Sequence, residues 1–189
     1  GQGYVLTTPL QLAVMTARLV NGGFAVVPRL TRSVSGNAAL QIPEEEMGFT
    51  TIDIAPQHFA LIKDALADVV NSPFGTAFRA RIDKPGIEMG GKTGTVQVRR
   101  ITRAEREQGI IKNKDLPWKD RDHALFVGFA PVDKPRYAVS VVVEHGGSGS
   151  KSAAPIARDI LEVAQRRGSA NRSLASNTPI VETSRTAAD

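Results

Sequence analysis

Gly90-Gly91-Lys92-Thr93-Gly94-Thr95-Val96-Gln97-Val98 is the stretch from which the fold is read. Its second half alternates β-branched residues with others, the period-two pattern of a strand. On a strand, alternate residues share a face, so Thr93 and Thr95 point one way and Lys92 the other. Gly94 lets a ligand or another backbone come close. Two hydroxyls beside an ammonium suit a carboxylate. The same residues also spell a phosphate-binding loop, because residues 86–93 fit G-x-x-x-x-G-K-[ST]. That loop needs a buried strand before it and a helix after it. Arg81-Ile82-Asp83-Lys84-Pro85 makes a poor buried strand and Thr95-Val96-Gln97-Val98 a poor helix start, so the strand reading stands.

Downstream, residues 123–132 and 136–144 are two apolar runs joined by Asp133-Lys134-Pro135. A tight turn of that kind predicts an antiparallel pair. Upstream, Thr8-Pro9-Leu10-Gln11 predicts a helix start, with Thr8 as N-cap and Gln11 as its reciprocal partner. Asn21-Gly22-Gly23 ends that helix. Residues 24–27 and 30–34 read as short extended pieces, and residues 35–47 as a polar excursion. Phe59, Ile62, Leu66, Val69 and Val70 recur at helical spacing over residues 56–70. Residues 71–76 form a turn cluster. Residues 100–121 are a charged insertion, 146–150 a glycine loop, and 151–167 an amphipathic helix presenting Ile156, Ile160, Leu161 and Ala164, ending at Gly168. The expected order is helix, helix, three strands, helix. That is an α+β layout, an antiparallel sheet with helices packed on it. Residues 1–168 then form one unit, and residues 169–189, poor in apolar side chains, a disordered tail.

The composition excludes several functions. The chain has 189 residues, 41% hydrophobic and 23% charged, which suits one soluble domain or a large part of one. It has no cysteine, so it holds no disulfide, thiolate zinc site or cysteine nucleophile. Its three histidines lack the i, i+4 spacing of a helical zinc site, so no metal is expected. The net charge of +5 comes with only 5% aromatic residues, which argues for a solvated basic surface and against nucleic acid. No run approaches the ~20 apolar residues of a membrane span. The opening Gly1-Gln2-Gly3-Tyr4 is neither an initiator nor a targeting segment.

Lys92-Thr93-Gly94 is also K-T-G, the third motif of penicillin-binding proteins and serine β-lactamases. It is followed by Asp122-His123-Ala124-Leu125-Phe126-Val127-Gly128-Phe129-Ala130-Pro131 and by Val141-Val142-Val143-Glu144-His145-Gly146-Gly147-Ser148-Gly149-Ser150. Before it stand Gly1-Gln2-Gly3-Tyr4, Thr8-Pro9-Leu10-Gln11 and Asn71-Ser72-Pro73-Phe74-Gly75-Thr76-Ala77. In this order, over roughly residues 1–165, these stretches resemble the elongation-specific class B penicillin-binding transpeptidases, the penicillin-binding protein 2 family. The resemblance implies part of the serine β-lactamase/penicillin-binding transpeptidase fold. It implies a peptidoglycan D,D-transpeptidase that acts through a serine acyl-enzyme on D-Ala-D-Ala stem peptides and is trapped by β-lactams. Lys92 would supply charge and share in proton shuttling. Thr93 and Thr95, with Gly94 between them, would bind the terminal carboxylate. The Thr95 N–H would be one oxyanion donor. No cofactor is implied. Implied partners are a lipid-linked glycan polymerase and other elongation proteins, in the periplasm, with an inner-membrane anchor only in an upstream part.

The family's S-x-x-K and S-x-N motifs precede K-T-G, and the chain begins too late for either. It is therefore expected to carry one wall of a cleft and to be inactive alone. Ser148-Gly149-Ser150-Lys151 spells S-x-x-K, but after K-T-G and in a glycine loop. Ser35-Gly36-Asn37 and Ser169-Ala170-Asn171 spell S-x-N in a polar excursion and in the tail, as turn or cap residues do. His123 and His145, at strand ends, read as structural before catalytic. Asp122 reads as a cleft brace or a turn cap, and residues 99–106 as a solvated run able to touch a partner protein or anionic wall polymer. The rival readings are a D,D-carboxypeptidase or β-lactamase-like hydrolase, and a non-catalytic cell-wall scaffold module. The long insertion at 100–121 favours the transpeptidase over the hydrolases.

Overall fold

The computed structural model describes residues 5–28, 30 and 51–176. Helix α1 (Pro9–Val20) opens on the capping box read from the sequence. The Thr8 N–H donates to Gln11 Oε1 at 2.8 Å, and the Gln11 N–H to Thr8 Oγ1 at 3.2 Å. Gly22 and Gly23, both at positive φ, turn the chain out of the helix. Phe24 then bridges to Thr51, while residues 31–50, with the expected strand end, polar excursion and Ser35-Gly36-Asn37, lie outside the described residues. Helix α2 (Pro56–Asn71) buries Phe59 and Val70, two of the periodic positions.

The sheet has order β1-β2-β3: Gly90–Val96, His123–Ala130 and Tyr137–Val143. Both pairs are antiparallel, as the turn at Asp133 to Pro135 predicts for the second. Helix α3 (Arg103–Gln108) lies in the charged insertion between β1 and β2. A π-turn (Gly149–Ala153) feeds the last helix, α4 (Ala154–Ser176).

The register sorts the side chains. Gly91, Thr93 and Thr95 stand opposite Gly128, Phe126 and Ala124, which puts all six on one face. On that face Phe126, Ala124 and Val141 join Val70, Met89, Ala157 and Leu161 in a buried core. The Phe126 ring lies over Gly91 and Gly128; a Cβ at Gly128 would stand 2.7 Å from the ring and one at Gly91 closer still. On the other face a Cβ at Gly90 would stand 2.6 Å from the buried Phe129 ring and 3.2 Å from the Ala67 nitrogen. The two glycines before Lys92 therefore serve ring and helix packing. Because the residues after them continue as a strand, the phosphate-loop spelling has no helix to act with.

Two features of α4 differ from the sequence reading. Ile156 and Ile160 are exposed, and the buried face is Ala154, Ala157, Leu161 and Gln165, continuing from Ala153 of the turn. Small alanines let the helix approach the sheet closely, and Gln165 is accommodated because its Nε2 donates to the Ile87 carbonyl at 3.0 Å. The helix also runs through Gly168 to Ser176, past the predicted stop. A glycine inside a helix costs only ~1 kcal/mol. Here it makes room, because the Tyr137 hydroxyl occupies the space a Cβ at 168 would fill. Of the expected tail, residues 177–189 lie outside the described residues.

Candidate active site

Lys92, Thr93, Gly94 and Thr95 all lie on β1, which is an edge strand of the sheet. Lys92 and Gly94 face Val127 and Leu125, whereas Thr93 and Thr95 face Phe126 and Ala124. The alternation expected from the sequence is therefore present. The Lys92 ammonium, exposed, folds over the strand and donates to the Thr93 carbonyl at 3.0 Å.

Thr93 is held from outside its own strand. Its hydroxyl lies 3.3 Å from that of Thr76, in the turn after α2. That turn is itself fixed to the helix end: Gly75 N–H donates to Ser72 O and Ala77 N–H to Val69 O. Asn71 Nδ2 ties the same region to the start of β1 through the Ala67 and Met89 carbonyls, at 2.8 and 3.0 Å. Sequence reading attached no role to Thr76. The two threonines are separated by 17 positions, and only their meeting in space reveals the pair. A cavity of about 270 Å³ opens beside Thr76, walled by Phe78 and Arg79 and, from the turn before α4, Ser150 and Lys151. Gly149 in that turn packs against the Gly94 and Leu125 backbones, where a Cβ would clash.

The remaining candidates hold the surroundings together. The His145 N–H donates to His123 Nδ1 at 2.9 Å, and His145 Nδ1 lies 2.9 Å from the Arg121 carbonyl. A carbonyl only accepts, so His145 Nδ1 carries a proton and His123 Nδ1 does not. Trp118 packs on His145 with ring centres 4.3 Å apart. Asp122 exchanges two 2.8 Å bonds with Asn113, and its carbonyl accepts from Gly147 N–H. These residues brace the loops at the far end of β2. Ser148 Oγ sits 3.1 Å from Ser150 Oγ, inside the glycine turn. No group of three or more His, Cys, Asp or Glu able to hold a metal occurs among the described residues.

Beyond Val96 the chain enters a cleft of about 1020 Å³, lined by Val96, Gln97, Val98 and Arg99 and by Arg100, Arg103 and Arg106 of the insertion. Arg99 grips Glu105 with both terminal guanidinium nitrogens, Nη1 and Nη2. That bond, helped by the Ile111 and Thr102 contacts and opposed by partial burial, holds the Glu105 carboxyl at about 2. A carboxylate whose pKa is depressed by folding stabilises the fold above its ordinary range and stops doing so as the pH falls through the folded value. The pair is therefore expected to hold α3 in place above pH 4.5 and to release it as the pH falls through about 2. Carbon NMR titration of the Glu105 carboxyl measures this; a midpoint at the ordinary 4.5 contradicts it.

Residues 1–162 match the penicillin binding protein transpeptidase domain. The chain belongs to the penicillin-binding protein transpeptidase family. Similar members include the peptidoglycan D,D-transpeptidase MrdA of Acinetobacter baumannii, 36% identical over 160 residues, 82% of this chain and 22% of that protein. The MrdA of Haemophilus influenzae is likewise 36% identical, over 86% of this chain and 24% of that protein. This transpeptidase-family chain thus spans less than a quarter of the length of these relatives. Among solved structures, it matches Pseudomonas aeruginosa PBP2 in complex with WCK 5153 with a TM-score of 0.66 and 34% identity, over 86% of this chain and 31% of that one. It matches PBP2 of Helicobacter pylori, solved in complex with MreC, with a TM-score of 0.65 and 26% identity, over 89% of this chain and 26% of that one. The α+β layout of three antiparallel strands and flanking helices is thus part of the penicillin-binding transpeptidase fold.

Proposed function

We propose that this chain is the K-T-G-bearing C-terminal part of a peptidoglycan D,D-transpeptidase. The observation that carries the reading is the edge strand β1, in a chain of this family, with the Thr93 and Thr95 hydroxyls on one face and Lys92 on the other. Thr93 and Thr95 take the terminal carboxylate of a D-Ala-D-Ala stem, or that of a β-lactam. Gly94 keeps the strand low there. The attacking serine comes from outside this chain. Its oxygen adds to the penultimate D-alanine carbonyl, and the Thr95 N–H steadies the oxyanion. The peptide bond then breaks, terminal D-alanine leaves with a proton, and an acyl ester remains. A stem amine attacks the ester, forms the crosslink and returns the proton to the serine. Lys92 supplies positive charge and shares in these proton movements.

The enzyme works in the periplasm, anchored by a segment outside this chain, with a lipid-linked glycan polymerase and other elongation proteins. The complex of the Helicobacter pylori relative with MreC supports assembly with partner proteins. No helix among the described residues is long and apolar enough to cross a membrane.

Intact mass after incubation with a labelled penicillin tests the assignment. This chain alone is expected to show no adduct, and the protein with the upstream segment restored to show one. An adduct on this chain alone would place an active serine inside it, with Ser148 the first suspect.

A further inference from the structure

We infer that the arginine-lined cleft at the end of β1 is a second anion subsite, which holds the acidic side-chain carboxylates of the stem peptide whose terminus is bound at Thr93 and Thr95. The inference rests on the transpeptidase reading and adds where the rest of the substrate goes. The cleft begins at Val96, the residue after Thr95, so a peptide anchored at those hydroxyls enters it by following the strand. Its volume of about 1020 Å³ accommodates several residues of extended chain.

The charges in it are unequally committed. Arg99 is spent on Glu105 in a two-bond grip, and Thr102 Oγ1 caps the helix by accepting from the Glu105 N–H at 3.2 Å. That anchored corner holds up α3, whose Arg103 and Arg106, three positions apart, share a helix face. Arg103 makes one ion pair, with Glu107, at a side-chain exposure of 93%, a pairing that water screens heavily. Arg100 and Arg106 complete a set of three guanidiniums over one cleft. Guanidiniums bind carboxylates by paired hydrogen bonds, so the geometry suits a ligand carrying more than one carboxylate. Exposed Val5 and Leu6, with Val96, Val98 and Ile101, form the apolar part of the lining, suited to the aliphatic stems of such side chains. Among the described residues of the lining, a nucleic-acid strand would find no aromatic platform on which to stack its bases.

The test uses the full-length transpeptidase carrying the triple change Arg100→Ala, Arg103→Ala and Arg106→Ala. Two soluble peptides ending in D-Ala-D-Ala serve as probes, one with free side-chain carboxylates and one with those groups amidated. Release of terminal D-alanine gives kcat and KM for each, and labelled penicillin reports the acylation site. The inference expects KM for the acidic peptide to rise about tenfold or more, equivalent to ~1.4 kcal/mol of binding. The amidated peptide and penicillin acylation should be unchanged. Equal effects on both peptides, or on neither, overturn it. Should the triple variant lose penicillin acylation through misfolding, Arg103→Glu on the exposed helix face reads the same peptide difference. Unsubstituted enzyme that neither takes penicillin nor releases D-alanine would instead overturn the transpeptidase reading itself.

Discussion

Changing Lys92 to Ala in the full-length transpeptidase is expected to slow acylation by a penicillin by about 10²–10⁴, the usual worth of a positioned proton-transfer group. Its thermal midpoint should barely move. The Lys92 side chain is exposed and makes a single bond, to the Thr93 carbonyl, so little folding energy depends on it. Stopped-flow acylation paired with a melting curve separates the two quantities. An unchanged acylation rate would remove Lys92 from the mechanism. A collapse of the melting midpoint would make it a structural residue.

Phe126→Ala is expected to act in the opposite way, by unfolding the sheet. The Phe126 ring is fully buried and fills a slot left open by Gly91 on one neighbouring position and Gly128 on another. Deleting a buried Phe typically costs 3–5 kcal/mol. The ring sits in one core with Val70, Val141, Ala157 and Leu161, and a cost of about 3–5 kcal/mol is expected. Urea denaturation of the variant measures it, and a loss below about 1 kcal/mol would mean that the ring does not hold β1 against β2.

Where sequence spoke clearly, the signal was local. Thr8 and Gln11 cap α1 because the capping chemistry lies within four consecutive residues. The β2–β3 pair was legible because Asp133-Lys134-Pro135 punctuates two apolar runs, although the link between the strands, residues 131–136, is longer than the tight turn expected. The placement of Lys92 opposite Thr93 and Thr95 followed from strand alternation alone. The buried face of α4 was not legible, because hydropathy favours Ile156 and Ile160 over the alanines that fit against the sheet. The extension of α4 past Gly168 was hidden for a related reason: a glycine kept for packing looks the same in sequence as one that stops a helix. The Thr76–Thr93 contact depends on chain segments that meet only after folding, whereas the arginines of the cleft form one local run and only the cleft they line was hidden.

The meeting of Tyr137 and Gly168 carries a consequence for descent. Because the phenol end stands where a Cβ at 168 would go, a side chain there requires the Tyr137 ring to swing aside or its bulk to be lost, so the two sites are coupled. A lineage that keeps the tyrosine in this position favours glycine at 168. Among relatives the pair is therefore expected to change together more often than two unrelated sites.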